Sequence, residues 1–227
     1  MIYVMSDIHG CYKEYIKMLE LINFNDSDIL YIIGDICDRG NNPMDILLHM
    51  MNHENIIPIY GNHDIEAYPF LVLEYNNQMN YYDRKFLWWL SQGGNTTLAD
   101  FQKLSQKNQR KVLSYLEEFK YYEELTVNNT NYILVHGGLK DFDSNKSLDE
   151  YDLYDLVWER PDYDKIYFED KYIISGHTPT IHIDREMKGK IMNRNHHIVI
   201  DCGCVFGYGL GCLCLDTMKE YYIDSEE

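Results

Sequence analysis

Residues 29–40 read Ile29-Leu30-Tyr31-Ile32-Ile33-Gly34-Asp35-Ile36-Cys37-Asp38-Arg39-Gly40. An apolar run of five residues stopped by glycine has the pattern of a strand buried on both faces. Beyond Gly34 the chain carries two carboxylates, Asp35 and Asp38, and one arginine, Arg39. The pattern recurs across the chain. Ile2-Tyr3-Val4-Met5 leads into Ser6-Asp7-Ile8-His9-Gly10, and Ile56-Ile57-Pro58-Ile59-Tyr60 into Gly61-Asn62-His63-Asp64. Tyr132-Ile133-Leu134-Val135 leads into His136-Gly137-Gly138, and Tyr172-Ile173-Ile174-Ser175 into Gly176-His177-Thr178. In α/β proteins ligands gather beyond the carboxyl ends of such strands. One Asp or His after a strand is commonplace, whereas the same event at five strands describes a site.

Helical periodicity fills the gaps between these strands. Tyr12, Tyr15, Ile16, Leu19 and Ile22 share one face of a helix over 12–22. Asn42-Pro43 offers a cap residue followed by proline at the first helical position. The helix it starts turns Met44, Leu47, Leu48 and Met51 inward, and a third helix is expected from about Ile65. Residues 80–125 carry Trp88, Trp89, Leu98, Phe101, Val112, Leu113 and Leu116 at mostly helical spacing, broken at Gly93-Gly94. They predict a helical insertion beside the site, within a single domain spanning 1–227. Strands are expected again at 131–136, 171–175, 197–201, 210–216 and 220–224. The acidic segment 140–170 reads as a long loop with short helices, and the tail Asp224-Ser225-Glu226-Glu227 as solvated and frayed.

A formal charge of −17 over 227 residues argues against a nucleic-acid partner, because phosphate backbones demand a basic surface. No apolar run approaches the roughly 20 residues needed to cross a bilayer, and the first strand begins at residue 2 without a leader, so a cytoplasmic location is expected. Oligomeric state is not legible. Six cysteines stand at 11, 37, 202, 204, 212 and 214. The pairs Cys202/Cys204 and Cys212/Cys214 are spaced too closely for a usual zinc knuckle and are expected as buried thiols on one strand face. Disulfides are not expected in a reducing compartment.

The ligand types suggest a dinuclear metal centre. Asp7 and His9 are two residues apart after a strand, so both can turn toward one ion. Asp35 offers two oxygens and can bridge two ions. Asn62, His136 and His177 supply neutral oxygen and nitrogen to the second. This mixture suits Mn²⁺, Fe or Zn²⁺ better than Ca²⁺. Two such ions about 3.5–4 Å apart clamp an in-line displacement at phosphorus.

The motifs Asp7-Ile8-His9-Gly10, Gly34-Asp35-Ile36-Cys37-Asp38-Arg39-Gly40, Gly61-Asn62-His63-Asp64 and His136-Gly137-Gly138 resemble those of calcineurin-type metallophosphoesterases. Among these the chain is most similar to phosphoprotein phosphatases of the small bacterial and phage-lambda type, with further matches at Val157-Trp158-Glu159-Arg160, Gly176-His177-Thr178-Pro179 and Ile200-Asp201-Cys202-Gly203. The resemblance implies a two-sheet β-sandwich flanked by helices, in four layers α/β/β/α. It implies that Asp7, His9 and Asp35 hold one metal, and that Asp35, Asn62, His136 and His177 hold the other, with Mn²⁺ the expected ion. Arg39 and Arg160 would grip the phosphoryl oxygens alongside Asn62, and His63, oriented by Asp38, would protonate the leaving oxygen. A hydroxide bridging the metals would attack phosphorus directly.

Pro179 stands where diesterases and nucleases of this type carry a second histidine, which favours monoester hydrolysis. The expected activity is therefore that of a serine/threonine protein phosphatase, acting on a phosphorylated protein or a small phosphomonoester. The alternative is a symmetrical diadenosine tetraphosphate hydrolase or a small-molecule phosphatase. Asp64 replaces the usual glutamate of protein phosphatases and points to that sister group, whereas Asp38 points away from it. Ser6 replaces a usual glycine. Asp201 reads equally well as a strand-end cap or as support for a metal-bound histidine. Trp88 and Trp89 are expected in the core of the insertion, and His49, His53, His182, His196 and His197 at the surface.

Overall fold

Alternate residues of each strand divide between two packing surfaces, and that division builds the layers. The computed structural model describes residues 1–225. Along the chain, β1 (Ile2–Met5), α1 (Tyr12–Leu21), β2 (Ile29–Ile33), α2 (Pro43–Met50) and β3 (Ile56–Ile59) form two successive βαβ units. Four helices and a π-helical turn come next: α3 (Asn62–Tyr75), α4 (Arg84–Trp89), the turn (Leu90–Gly94), α5 (Asn95–Gln102) and α6 (Gln106–Leu116). Then come β4 (Glu123–Val127), β5 (Thr130–Leu134), α7 (Leu153–Val157), β6 (Lys171–Ser175) and α8 (Thr180–Ile183). The described chain ends with β7 (Met192–Arg194), β8 (His197–Val199), β9 (Leu210–Cys214) and β10 (Lys219–Ile223).

The strands make two five-stranded mixed sheets, ordered β10-β9-β1-β2-β3 and β4-β5-β6-β8-β7. Parallel pairing joins β1, β2 and β3 in the first sheet and β5, β6 and β8 in the second. In β2, Tyr31 and Ile33 face the second sheet, packing with Val4, Ile59, Tyr132, Leu134, Ile174 and Ile198. The intervening Leu30 and Ile32 face the helices, together with Tyr15, Met18, Leu47 and Phe101. The outer face of the second sheet, through Ile133 and Ile173, is covered by Leu139, Leu148, Tyr151 and Leu156. Helices, sheet, sheet and outer cover thus stack as the resemblance implies.

Several local expectations need correction. The third helix begins at Asn62 rather than near Ile65, because the Asp64 carboxylate accepts the Gly61 N–H and closes the first turn from within. The helical stretch ends before Glu123, where β4 pairs antiparallel with β5. Asn42 occupies the cap position of α2 without capping it. Met44 N–H instead donates to Asp100 Oδ2 at 3.0 Å, so α5 caps α2 across the fold. Cys212 and Cys214 share the helix-facing side of β9. Cys202 and Cys204 do not share a face, since β8 ends before them: Cys202 packs between the sheets and Cys204 beside Cys11 and Glu14. His197 is buried rather than exposed, with Nε2 3.1 Å from Lys165 O and its ring edge-on to Tyr163 and Tyr167. Of the expected frayed tail, Ser225 is anchored, donating to Cys204 O at 2.7 Å, and Glu226 and Glu227 lie outside the described residues.

Candidate metal centre and catalytic groups

Backbone hydrogen bonds lace the loops that leave β1 and β2 to each other, and Gly176 N–H donates to His136 O at 2.9 Å between those that leave β6 and β5. Asp7 N–H donates to Gly34 O at 3.1 Å, His9 N–H to Asp35 O at 2.8 Å and Gly10 N–H to Ile36 O at 2.9 Å. These bonds hold unusual backbone. Asp7, His9, Asp35, Asp38, Arg39 and His177 all have φ between 45° and 71°. That region costs non-glycine residues on the order of 1–3 kcal/mol each, and strain of this kind concentrates at functional sites. Gly34 shares the conformation at φ 72° for a second reason: a Cβ there would lie 2.4 Å from Gly61 Cα. Only glycine lets the β2 and β3 loops touch.

Asp64 fastens that junction. Its Oδ2 accepts from Asp35 N–H at 2.8 Å and Gly61 N–H at 3.0 Å, and its Oδ1 from Ile36 and Cys37 N–H at 3.0 Å each. Fully buried at the start of α3, the carboxylate spends its acceptor capacity on backbone and never reaches the pocket.

Two donor clusters share Asp35: one with His9 and His63, the other with His136 and His177. In the second, His136 Nδ1 is satisfied by Ile33 O at 2.8 Å, so Nε2 faces inward, 3.1 Å from Asn62 Oδ1 and 3.4 Å from Asp35 Oδ1. His177 Nδ1 lies 2.9 Å from the same Asn62 oxygen. Ligands held at about 2.1 Å around one ion sit roughly 3.0–3.4 Å from each other, the spacing found here. In the first cluster His9 Nδ1 is satisfied by Cys37 O at 2.8 Å, and Nε2 points inward, 3.4 Å from Asp35 Oδ2. Asp7 belongs to neither cluster. Its two oxygens accept from His177 N–H at 3.0 and 3.2 Å, which leaves its buried charge beside the centre.

Lone pairs converging on one point repel unless a cation lies among them, and the electrostatics of the site show this tension. Burial lowers the pKa of His136, but Asp35 outweighs it and carries the imidazole up to about 10. Burial holds His9 and His177 down at about 3, so both are neutral bases, as metal ligation requires. Burial also raises Asp7, to about 6. The donor set fits divalent ions at both clusters.

His63 stands beside the first cluster. Its Nδ1 is 2.8 Å from Asp38 Oδ2, and its Nε2 2.8 Å from Arg39 Nη2. Burial lowers its pKa, but Asp35 and hydrogen-bonded Asp38 raise it further, and the net shift is upward. Arg39 Nη1 is 2.5 Å from His9 Nε2, and the guanidinium lies 5.4 Å from the Phe206 ring centroid. Asp35, Arg39, Asn62, His63, His177 and Arg160 line one pocket of about 170 Å³. The structure thus brings together every residue expected at the site except the Asp7 carboxylate, which is turned aside.

Two groups that hold Asp38 are not apparent in the sequence. Trp89 Nε1 donates to Asp38 Oδ2 at 3.0 Å, and the Thr97 hydroxyl donates to Oδ1 at 2.7 Å. Both come from the helical stretch after α3, which is pinned to the β2 loop by Arg39 N–H donating to Gly93 O at 3.0 Å. The Gly93-Gly94 break marks where the stretch bends to reach that loop, at φ 107°. Trp89 is fully buried as expected. Trp88 is not: it keeps 45% of its surface and lines the pocket wall. Asp201 acts as a cap, its Oδ1 accepting Gly203 N–H at 2.9 Å.

Comparison with known proteins places this architecture. The chain is 25% identical to the bis(5'-nucleosyl)-tetraphosphatase PrpE [asymmetrical] of Halalkalibacterium halodurans, over 99% of this chain and 94% of that one. Its fold is like that of a candidate diadenosine tetraphosphatase, with TM-score 0.70, 16% identity and coverage of 100% and 94%. It is also like that of a Saccharomyces cerevisiae protein serine/threonine phosphatase, with TM-score 0.61, 15% identity and coverage of 100% and 80%. At such identities the structural likenesses speak for the fold alone. The family model for calcineurin-like phosphoesterases matches residues 1–207, and with the donor clusters at the ends of the expected strands, this chain belongs to that family.

Proposed function

We propose that the protein hydrolyses bis(5'-nucleosyl) tetraphosphates at a dinuclear metal centre held by His9, Asp35, Asn62, His136 and His177, which the adjacent Asp7 carboxylate joins by turning from the His177 N–H when metal binds. The observation that carries the choice of substrate is the likeness to the tetraphosphatase of Halalkalibacterium halodurans along 99% of this chain. The ions, for which Mn²⁺ is the favoured identity, supply charge neutralisation and water activation when bound. The protein's own groups do the rest. Arg39 and Arg160 present planar donors to the phosphoryl oxygens. As a phosphoryl group draws Arg39 toward itself, His63 Nε2 is released from the guanidinium. Held by Asp38 and with its pKa raised, His63 then carries the proton for the leaving oxygen. The pocket of about 170 Å³ takes a phosphoryl group and little more, so the remainder of the substrate lies outside it.

A phosphoserine or phosphothreonine phosphatase is the second reading, favoured by Pro179 in place of the diesterase histidine. Initial rates of the Mn²⁺-loaded protein on diadenosine tetraphosphate and on a phosphoserine peptide separate the two. A kcat/KM at least ten-fold higher on the dinucleotide is expected, and products resolved as ATP with AMP or as two ADP give the cleavage position. The reverse preference would sink the proposal.

A further inference from the structure

The small pocket does not end at its wall. Trp88 and Glu66 line it on one side and also line a second, larger cavity of about 670 Å³, together with Phe70, Arg84, Lys85 and Tyr154. This volume is in the range of small-molecule sites, whereas the first pocket is well below it. The two cavities meet at an aromatic surface: Trp88 is 45% exposed and Tyr154, which lines the larger one, 57%. Single exposed apolar residues are ordinary, but these two large rings line a concave cavity next to a phosphate site.

Charge runs along the same line. With a net −17 on the chain, a polyanion is repelled by most of the surface. Arg39 and Arg160 in the first pocket, then Arg84 and Lys85 in the second, give four cations across two cavities that share Trp88 and Glu66. Asp83 also lines the larger cavity, but its carboxylate is engaged by the N–H groups of Lys85 and Phe86 at the start of α4. Glu66, at the junction of the two cavities, is an acceptor suited to a ribose hydroxyl or a base amino group.

α3 links the two cavities to the proposed proton donor. His63 and Glu66 are one turn apart on α3 and therefore on one face of it. Glu66 thus carries into the larger cavity the face of α3 that bears His63, the proposed proton donor.

We propose that the cavity lined by Trp88, Arg84, Lys85 and Tyr154 binds the departing nucleotide of the substrate. Trp88 stacks on its base, and Arg84 and Lys85 hold its phosphates. This assignment rests on the reading of the protein as a dinucleoside tetraphosphate hydrolase. It explains why the small pocket suffices for the chemistry while a long substrate is retained.

The test uses the Mn²⁺-loaded full chain and Trp88→Ala, Trp88→Phe and the Arg84→Ala/Lys85→Ala double variant. Base stacking worth about 1–3 kcal/mol converts to about a 5- to 150-fold rise in KM for diadenosine tetraphosphate in Trp88→Ala. Trp88→Phe should recover most of it. The rise should exceed that for p-nitrophenyl phosphate, which is too short to enter the larger cavity, by at least about five-fold. Equal rises for both substrates, or a rise confined to a phosphopeptide, would overturn the assignment. Independently, ATP should quench tryptophan fluorescence in the wild type and much less in Trp88→Phe. No such difference would overturn the subsite whatever the enzyme hydrolyses. A wild type inactive on the dinucleotide but quenched by ATP through Trp88 would refute the proposed substrate and leave the nucleotide subsite standing.

Discussion

Replacing Asp64 with asparagine removes one charge and half the acceptor capacity from the group that ties the β2 loop to α3. The carboxylate receives four buried backbone N–H bonds, two on each oxygen, at 2.8–3.0 Å. An asparagine oxygen can serve one pair. Its NH₂ then faces the other pair, donor against donor. Two buried N–H groups lose their partner at about 1–3 kcal/mol each, and the two surviving bonds are no longer charge-assisted. The negative charge also favours the N-terminal turn of α3, adding a few tenths of a kcal/mol or more. The expected destabilisation is about 3–6 kcal/mol, a large share of the roughly 5–15 kcal/mol typical of a folded domain. Urea unfolding of wild type and Asp64→Asn, followed by tryptophan fluorescence in a chelating buffer, measures it. Asp64→Glu keeps the charge but must fit one more methylene into a tight junction, at about 1–3 kcal/mol. A loss below about 1 kcal/mol for Asp64→Asn, less than one orphaned N–H should cost, would refute the claim that this carboxylate holds the loop.

Three further outcomes test the site. His63→Asn should lower kcat by about 10²–10⁴-fold while metal binding, read by calorimetry, stays intact; retained turnover would remove His63 from its role as proton donor. Trp89→Phe deletes the indole N–H bond to Asp38 and part of a fully buried ring, so a stability loss of about 1.5–3 kcal/mol is expected together with a lower kcat, and an unchanged kcat would mean Thr97 alone suffices to hold Asp38. Mn²⁺ at about a hundred times its Kd should stabilise the folded chain by roughly 2.7 kcal/mol, a rise of about 5–10 °C in Tm that a chelator reverses. A Tm indifferent to the metal would contradict the proposed donor set.

The ends of β1, β2, β3, β5 and β6 were readable in the chain because their signal is local: an apolar run, then an Asp, Asn or His within two residues. The sheet layering was readable only through resemblance, since runs such as Ile29–Ile33 are apolar at every position and periodicity cannot say which face meets helices and which meets strands. Three things were not local at all. Asp100 caps α2 from 56 residues away, and Thr97 supports Asp38 from 59. His197 looked like a surface residue and is buried under the 140–170 segment, whose path no pattern specifies.

The two residues whose identities pull toward different subfamilies show the same division. In sequence, Asp38 and Asp64 point to opposite substrates. In three dimensions neither faces a substrate: Asp38 sits behind His63, and Asp64 is consumed by four backbone N–H groups. Each would do its work whatever phosphoester occupied the pocket. The sequence by itself determined which family the chain resembles and which side chains stand at the strand ends, because those residues are written one after another along the chain. Only the tertiary structure decided what surrounds those side chains, because the walls beside the phosphate site are made by α3, α4 and the 150s segment. Trp88 came out exposed and Trp89 buried, although the two are neighbours, because successive residues of α4 point in different directions and only the packed fold sets which of them meets the core.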